Sequence, residues 1–96
     1  MLVNIPAEYL YNFHYFGKFI DMEKIDLFTS SIMRAKRTER KWSQQELADY
    51  MNVSKAFITD IESPTRVAKL NVKHINELAK IFQCSPKDFL PNTPLD

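Results

Sequence analysis

WSQQELADYMNVSKAFITDIE, residues 42–62, reads as two short helices separated by a three-residue turn. Ser43 precedes Gln44-Gln45-Glu46, so its hydroxyl can accept the free backbone N–H of Glu46 while the Glu46 carboxylate reaches back, the capping-box pattern that opens a helix. The helix begun there runs from Gln44 to about Met51. Asn52 follows the last apolar residue, and asparagine tolerates the left-handed conformation of a sharp helical stop almost as well as glycine. Ser54 then caps a further helix, Lys55 to Glu62. Ser63-Pro64 ends it, because the residue before a proline is pushed out of the helical region. Leu47, Ala48, Met51, Val53, Ile58 and Ile61 take the inward positions. Ala48 matters most, since helices crossing steeply at a short turn leave no room for a larger side chain at their closest approach.

Working outward, a helix of roughly Lys24 to Arg40 precedes this pair, and Trp42-Ser43 interrupts it. After a polar connection, Thr65 to Leu70, Asn71 caps a fourth helix whose Val72, Ile75, Leu78, Ala79 and Phe82 form a core stripe at three-and-four spacing. Ser85-Pro86-Lys87-Asp88 opens one last short turn, with proline at its first helical position, and Pro91 stops it. Met33, Trp42, Ile75, Leu78 and Phe82 are expected in the core. The chain has one Gly and no β-branched alternation after residue 22, so the expected fold is all-α: five helices round one core.

Ninety-six residues suffice for one domain and leave no room for a separate ligand-sensing domain of ordinary size. The expected organisation is an aromatic N-terminal extension over 1–23, a helical domain over 24–91 and a tail over 92–96. The single Cys84 excludes a disulfide framework and a cysteine-based zinc site, and fits a reducing, cytoplasmic compartment. With no Asp/Glu-His ligand spacing, no metal or other cofactor is expected. No Gly-rich phosphate loop, Ser/His/Asp order or isolated carboxylate pair supports catalysis, so an enzyme is the least favoured class.

Net charge is only +1, but it is unevenly spread. Residues 1–29 carry two basic against four acidic side chains, whereas residues 30–96 carry eleven basic against eight acidic. Arg34, Lys36, Arg37, Arg40 and Lys41 cluster against Glu39 alone. Charge by itself leaves open a solvated helix face or an anion-binding one.

Two short helices at a three-residue turn are also the sequence form of a helix-turn-helix. An αα-hairpin without a binding role is the alternative for the bare pattern. The wider run weighs against it. Trp42-Ser43-Gln44-Gln45-Glu46-Leu47-Ala48, then Val53-Ser54, Ile58 and Ile61-Glu62, then Leu78-Ala79-Lys80-Ile81-Phe82, Cys84-Ser85-Pro86 and Phe89-Leu90 resemble the lambda-repressor-like, XRE-type (Cro/CI) helix-turn-helix family over about Leu27 to Leu90. Asn52 and Ser63-Pro64 stand where that family commonly has glycine, and Lys36 takes a site that is often apolar.

The resemblance implies a sequence-specific, double-stranded DNA-binding transcriptional regulator, a repressor acting as a homodimer on a two-fold operator. The residues it implies for DNA contact are Ser43, Gln44, Ser54, Lys55, Ala56, Phe57, Thr59, Asp60, Arg66 and Lys69. Ser43 and Gln44 would meet a phosphate at the positive end of their helix, plain capping being the alternative. Lys55 would address guanine, Ala56 or Thr59 a thymine methyl, and Asp60 a cytosine amino group or the rejection of wrong sequences. Phe57 would either pack against the turn or lie along the sugar-phosphate backbone. Arg66 and Lys69 would contact phosphates or remain solvated. Arg37 and Glu62 would form a buried ion pair from helix one to the end of helix three. A second reading is an antitoxin-type module that neutralises a toxin partner and autoregulates. A third is a purely structural helical domain.

The front holds half of the aromatics. Tyr9, Tyr11, Phe13 and Tyr15 alternate as on a strand, while Ile5, Tyr9, Phe13, Phe16 and Ile20 fit a helix. Such a surface is expected to pack on the domain or on a second copy. Met22 as the natural start is the other possibility. Asn12, His14, Gly17 and Lys18 break the apolar run, so neither a signal peptide nor a spanning helix is expected.

Overall fold

A computed structural model describes residues 23–63, 65 and 68–96. The readings made on residues 1–22 and on Pro64, Arg66 and Val67 lie outside the described residues. Four α-helices follow in order: α1 (Lys24–Glu39), α2 (Gln44–Met51), α3 (Lys55–Glu62) and α4 (Val72–Phe82). A 3-10 helix, Pro86–Phe89, closes the domain. The fold is all-helical, with no strand among the described residues. The expected fifth helix is a single tight turn: its capping box is present, but four residues allow no α-helical ladder to propagate.

Each helix start is set locally. The Ser43 hydroxyl accepts the Glu46 N–H at 3.0 Å and the Glu46 carboxylate accepts the Ser43 N–H at 2.8 Å. The Ser54 hydroxyl accepts the Phe57 N–H at 3.1 Å. At α4 the Asn71 side chain accepts the His74 N–H at 2.8 Å, while His74 Nδ1 accepts the Asn71 N–H at 3.1 Å, so histidine fills the place usual for Glu or Gln. α1 starts at Glu23 without a side-chain cap. Ser30 and Ser31 lie inside it, their hydroxyls donating to the Leu27 and Phe28 carbonyls.

Three helices stop the same way. Lys41, Asn52 and Gln83 adopt positive φ of 60°, 58° and 56°. The residue after each sends its N–H back to a carbonyl in the last turn: Trp42 to Arg37 at 3.1 Å, Val53 to Ala48 at 3.0 Å, and Cys84 to Ala79 at 3.0 Å. These are Schellman closures, which glycine ordinarily supplies. Asn52 was legible as such a stop; Lys41 and Gln83 were not, because neither residue type signals the left-handed region.

Ile32 and Met33 of α1, Leu47 and Ala48 of α2, Ile58 of α3, Leu78 of α4 and Phe89 are wholly buried in one cluster. Ala48 sits where α2 and α3 turn on each other, as its size requires. Three expectations need correction. Val72, placed in the α4 stripe, is 85% exposed, because at about 100° per residue it lies roughly 60–120° round the helix from Ile75, Leu78 and Phe82, at the edge of the stripe. Ile75 and Trp42, expected in the core, are half-buried at its margin. Trp42 stacks with Tyr50 (4.5 Å between ring centroids) and with Phe82 (5.4 Å), and the Arg40 guanidinium lies 5.2 Å from its ring centre. It seals the α1–α2 corner from outside. Lys36 fits its unusual site by lying along the core edge with its ammonium 5.7 Å from the Phe89 ring centre.

Candidate nucleic-acid interface

α3 is two-sided. Ile58 and Ile61 anchor it in the core, while Lys55, Ala56 and Thr59 stand exposed on its N-terminal half. Asp60 is half-buried beside them. Ser54 is exposed at the cap, where its hydroxyl holds the Phe57 N–H. The Phe57 ring turns inward and meets the His74 ring of α4 with centroids 4.9 Å apart, so this aromatic ties α3 to α4.

One buried carboxylate organises the rest. Glu62, 7% exposed, receives Arg37 Nε and Nη2 in a bidentate pair, both at 2.8 Å. The third arm of the same guanidinium, Nη1, donates to the Trp42 carbonyl at 2.6 Å, joining the α1–α2 corner to the end of α3. Arg34 Nε stands 4.0 Å from Glu62 Oε1. The pair read between Arg37 and Glu62 is thus present in geometry.

Gln44 extends this network to the exposed face. Its Nε2 donates to Glu62 at 3.0 Å, and its Oε1 accepts the Thr59 hydroxyl at 2.9 Å. The side chain expected to meet a phosphate is therefore engaged within the protein. The backbone N–H groups of Gln44 and Gln45, in the first turn of α2, have no intrahelical acceptor by helix geometry and lie at its positive end. A phosphate seated there would use the main chain. Ser43, expected beside it, has its hydroxyl in the capping box.

Lys69 lies 3.8 Å from Asp26 of α1, with its side chain 56% exposed. Such an open pair is weak and gives way readily to a stronger anion. Arg66, the other loop candidate, lies outside the described residues. Sequence reading missed Arg34 beside Glu62 and the use of Gln44 as a bridge. No spacing signal marks either, because the partners are separated by 28 and 15–18 residues and meet only through tertiary packing. Among the described residues no group of three His, Cys, Asp or Glu could hold a metal ion, and no helix is long and apolar enough to cross a membrane.

Two short helices locked at an αL turn, the second with one face buried and its N-terminal half open, define a helix-turn-helix DNA-binding domain. A helix-turn-helix family model matches residues 33–89, more than half of the chain. The protein belongs to that family, the XRE-type, lambda-repressor-like group of DNA-binding transcription regulators, which is not typically enzymatic. Neither the curated proteins nor the solved structures contain a match.

Proposed function

We propose that this regulator is a sequence-specific repressor that binds a two-fold operator as a homodimer, with α3 lying in the major groove. The observation that carries the reading is the exposed row Lys55, Ala56 and Thr59 on a helix whose other face is fixed by Ile58, Ile61 and the Arg37–Glu62 pair. A bidentate lysine contact to guanine O6 and N7 suits Lys55, and a thymine methyl suits Ala56. Because the Thr59 hydroxyl proton is held by Gln44, Thr59 offers its methyl and an acceptor oxygen to the groove. Asp60 accepts from a cytosine amino group or excludes other bases. The first turns of α2 and α3, at Ser43–Gln44 and Ser54, together with Lys69 and Arg66, hold phosphates on either side.

One such module makes few base contacts, and two copies one helical turn apart, about 34 Å, raise affinity into a useful range. Selection of bound duplexes from a random library tests the reading directly. The expected product is an inverted repeat with half-site centres about 10 base pairs or a multiple apart. In Lys55→Ala the same selection loses its preference at one base per half-site while keeping the spacing. An unchanged preference removes Lys55 from base readout, and a single unrepeated site removes the dimer. Placing the selected site across a promoter then reads the sign of regulation, with repression expected.

A further inference from the structure

The two polar ends of the Gln44 side chain are not interchangeable. Glu62, held by the Arg37 guanidinium through two 2.8 Å bonds and with Arg34 Nε at 4.0 Å, is a carboxylate that only accepts hydrogen bonds. The Gln44 amide must therefore turn Nε2 toward it, as it does at 3.0 Å, and that leaves Oε1 directed at Thr59. An amide oxygen also only accepts. The Thr59 hydroxyl, 2.9 Å away, thus commits its single proton to Gln44. Its oxygen retains lone pairs and nothing to donate. Glu62 is buried, Gln44 half-buried and Thr59 exposed, so this chain of bonds runs outward from the core to the open half of α3. Its direction at every link follows from one buried ion pair.

We infer that Gln44 is a positioning residue that makes Thr59 an obligate hydrogen-bond acceptor, so that α3 selects a base with an exocyclic amino group, adenine or cytosine, where Thr59 meets the groove. The inference rests on the reading that α3 lies in the major groove. There adenine N6 and cytosine N4 donate, whereas guanine O6 and thymine O4 occupy the same places as acceptors. An acceptor oxygen facing O6 or O4 gains no bond and meets a like partial charge. Turning the Thr59 hydroxyl round to donate would leave Gln44 Oε1 without its partner. Flipping the Gln44 amide to follow it would set Oε1 against the Glu62 carboxylate, oxygen against oxygen. Only Thr59 touches the base, but Gln44 decides which polarity it presents. The main chain of Gln44 takes no part in this, and its N–H stays available to a phosphate at the start of α2.

The test measures affinities of the full chain for its selected duplex and for versions altered at single base pairs. Thr59→Val, which keeps the side-chain shape without the hydroxyl, marks the base pair concerned. At that pair the native protein should bind at least about fivefold more weakly when A·T becomes G·C or C·G becomes T·A, a change that puts a carbonyl where the amino group stood. Deleting the amino group alone, with purine for adenine or an amino-free pyrimidinone for cytosine, should also weaken it. In Gln44→Met the freed hydroxyl donates as readily as it accepts, so the amino and carbonyl duplexes should bind nearly alike. Discrimination at the base pair marked by Lys55→Ala should persist. Gln44→Lys, which offers Glu62 a donor and Thr59 no acceptor, should behave as Gln44→Met does and decides the matter if Gln44→Met fails to fold. Because ratios are compared, a general loss of affinity cancels. An undiminished preference for the amino-bearing base in the folded Gln44 variants overturns the inference, as does a native protein indifferent to loss of the amino group. Discrimination at the Lys55 pair with none at Thr59 refutes this inference alone, whereas no sequence preference anywhere refutes the major-groove reading with it.

Discussion

Removing Arg37 should nearly unfold this protein, whereas removing Arg37 and Glu62 together should not. In Arg37→Ala the Glu62 carboxylate stays buried and loses both 2.8 Å charge-assisted bonds, and the Trp42 carbonyl loses its donor. Stranding one partner of a buried pair costs about 3–5 kcal/mol. The Gln44 amide remains on Glu62, and Arg34 at 4.0 Å can move closer, so the lower end of that range applies. A domain of this size has roughly 5–15 kcal/mol in total. A loss of about 3 kcal/mol lowers its melting midpoint by roughly 12–24 °C. Arg37→Met/Glu62→Met leaves no isolated charge, and its cost should fall well below the sum of the two single changes. Urea unfolding followed by Trp42 fluorescence suits the measurement, because this sole tryptophan caps the corner that Arg37 ties. A cost below about 1 kcal/mol for Arg37→Ala, or strict additivity in the double variant, would refute the reasoning, since a pair that decides the fold must show coupling well above ~0.5 kcal/mol.

Three further outcomes are expected. Gln83→Gly and Lys41→Gly should each stabilise the domain by about 0.5–1 kcal/mol in urea unfolding, because glycine holds the left-handed conformation without a Cβ clash. Burial, and secondarily the neighbouring Lys73 charge, hold the His74 imidazole below its ordinary value of 6.5. The unfolded chain therefore takes up the proton first as pH falls, so stability present above 6.5 declines from there down to the folded-state value. Protonation also removes the acceptor at Nδ1 that closes the α4 capping box. His74→Gln, which keeps an acceptor at that position, should flatten this part of a melting-temperature profile against pH. Lys69→Ala should weaken binding to all duplexes alike and reduce the slope of log affinity against log salt by about 1, as a phosphate contact does, leaving the selected sequence intact.

Much of this architecture is readable along the chain because its determinants are local. Ser43, Ser54, Asn71 and Ser85 each bond a backbone N–H two or three residues on, and such contacts depend on spacing alone. Asn52 likewise ends its helix by its own conformational tolerance, and Ser63, extended, ends α3 where the sequence places the stop. The inward row Leu47, Ala48, Ile58 and Ile61 follows from helical periodicity, and the family resemblance is what points to the exposed half of α3 as the proposed contact face.

Packing decided what periodicity could not. Val72 has three-and-four spacing to its neighbours and stands in solvent, because it lies at the edge of the apolar stripe and only the packed neighbours decide how wide a face is covered. Gln44 looked like a free phosphate donor, yet the approach of α3 places Glu62 and Thr59 on its two ends. Ser30 and Ser31 are polar by type, yet both are buried, their hydroxyls closed onto carbonyls of their own helix. In each case the deciding neighbour is distant in sequence or unmarked by it. Local chemistry thus determined where the helices begin and end, while long-range contact determined which of their polar side chains remain available for a ligand.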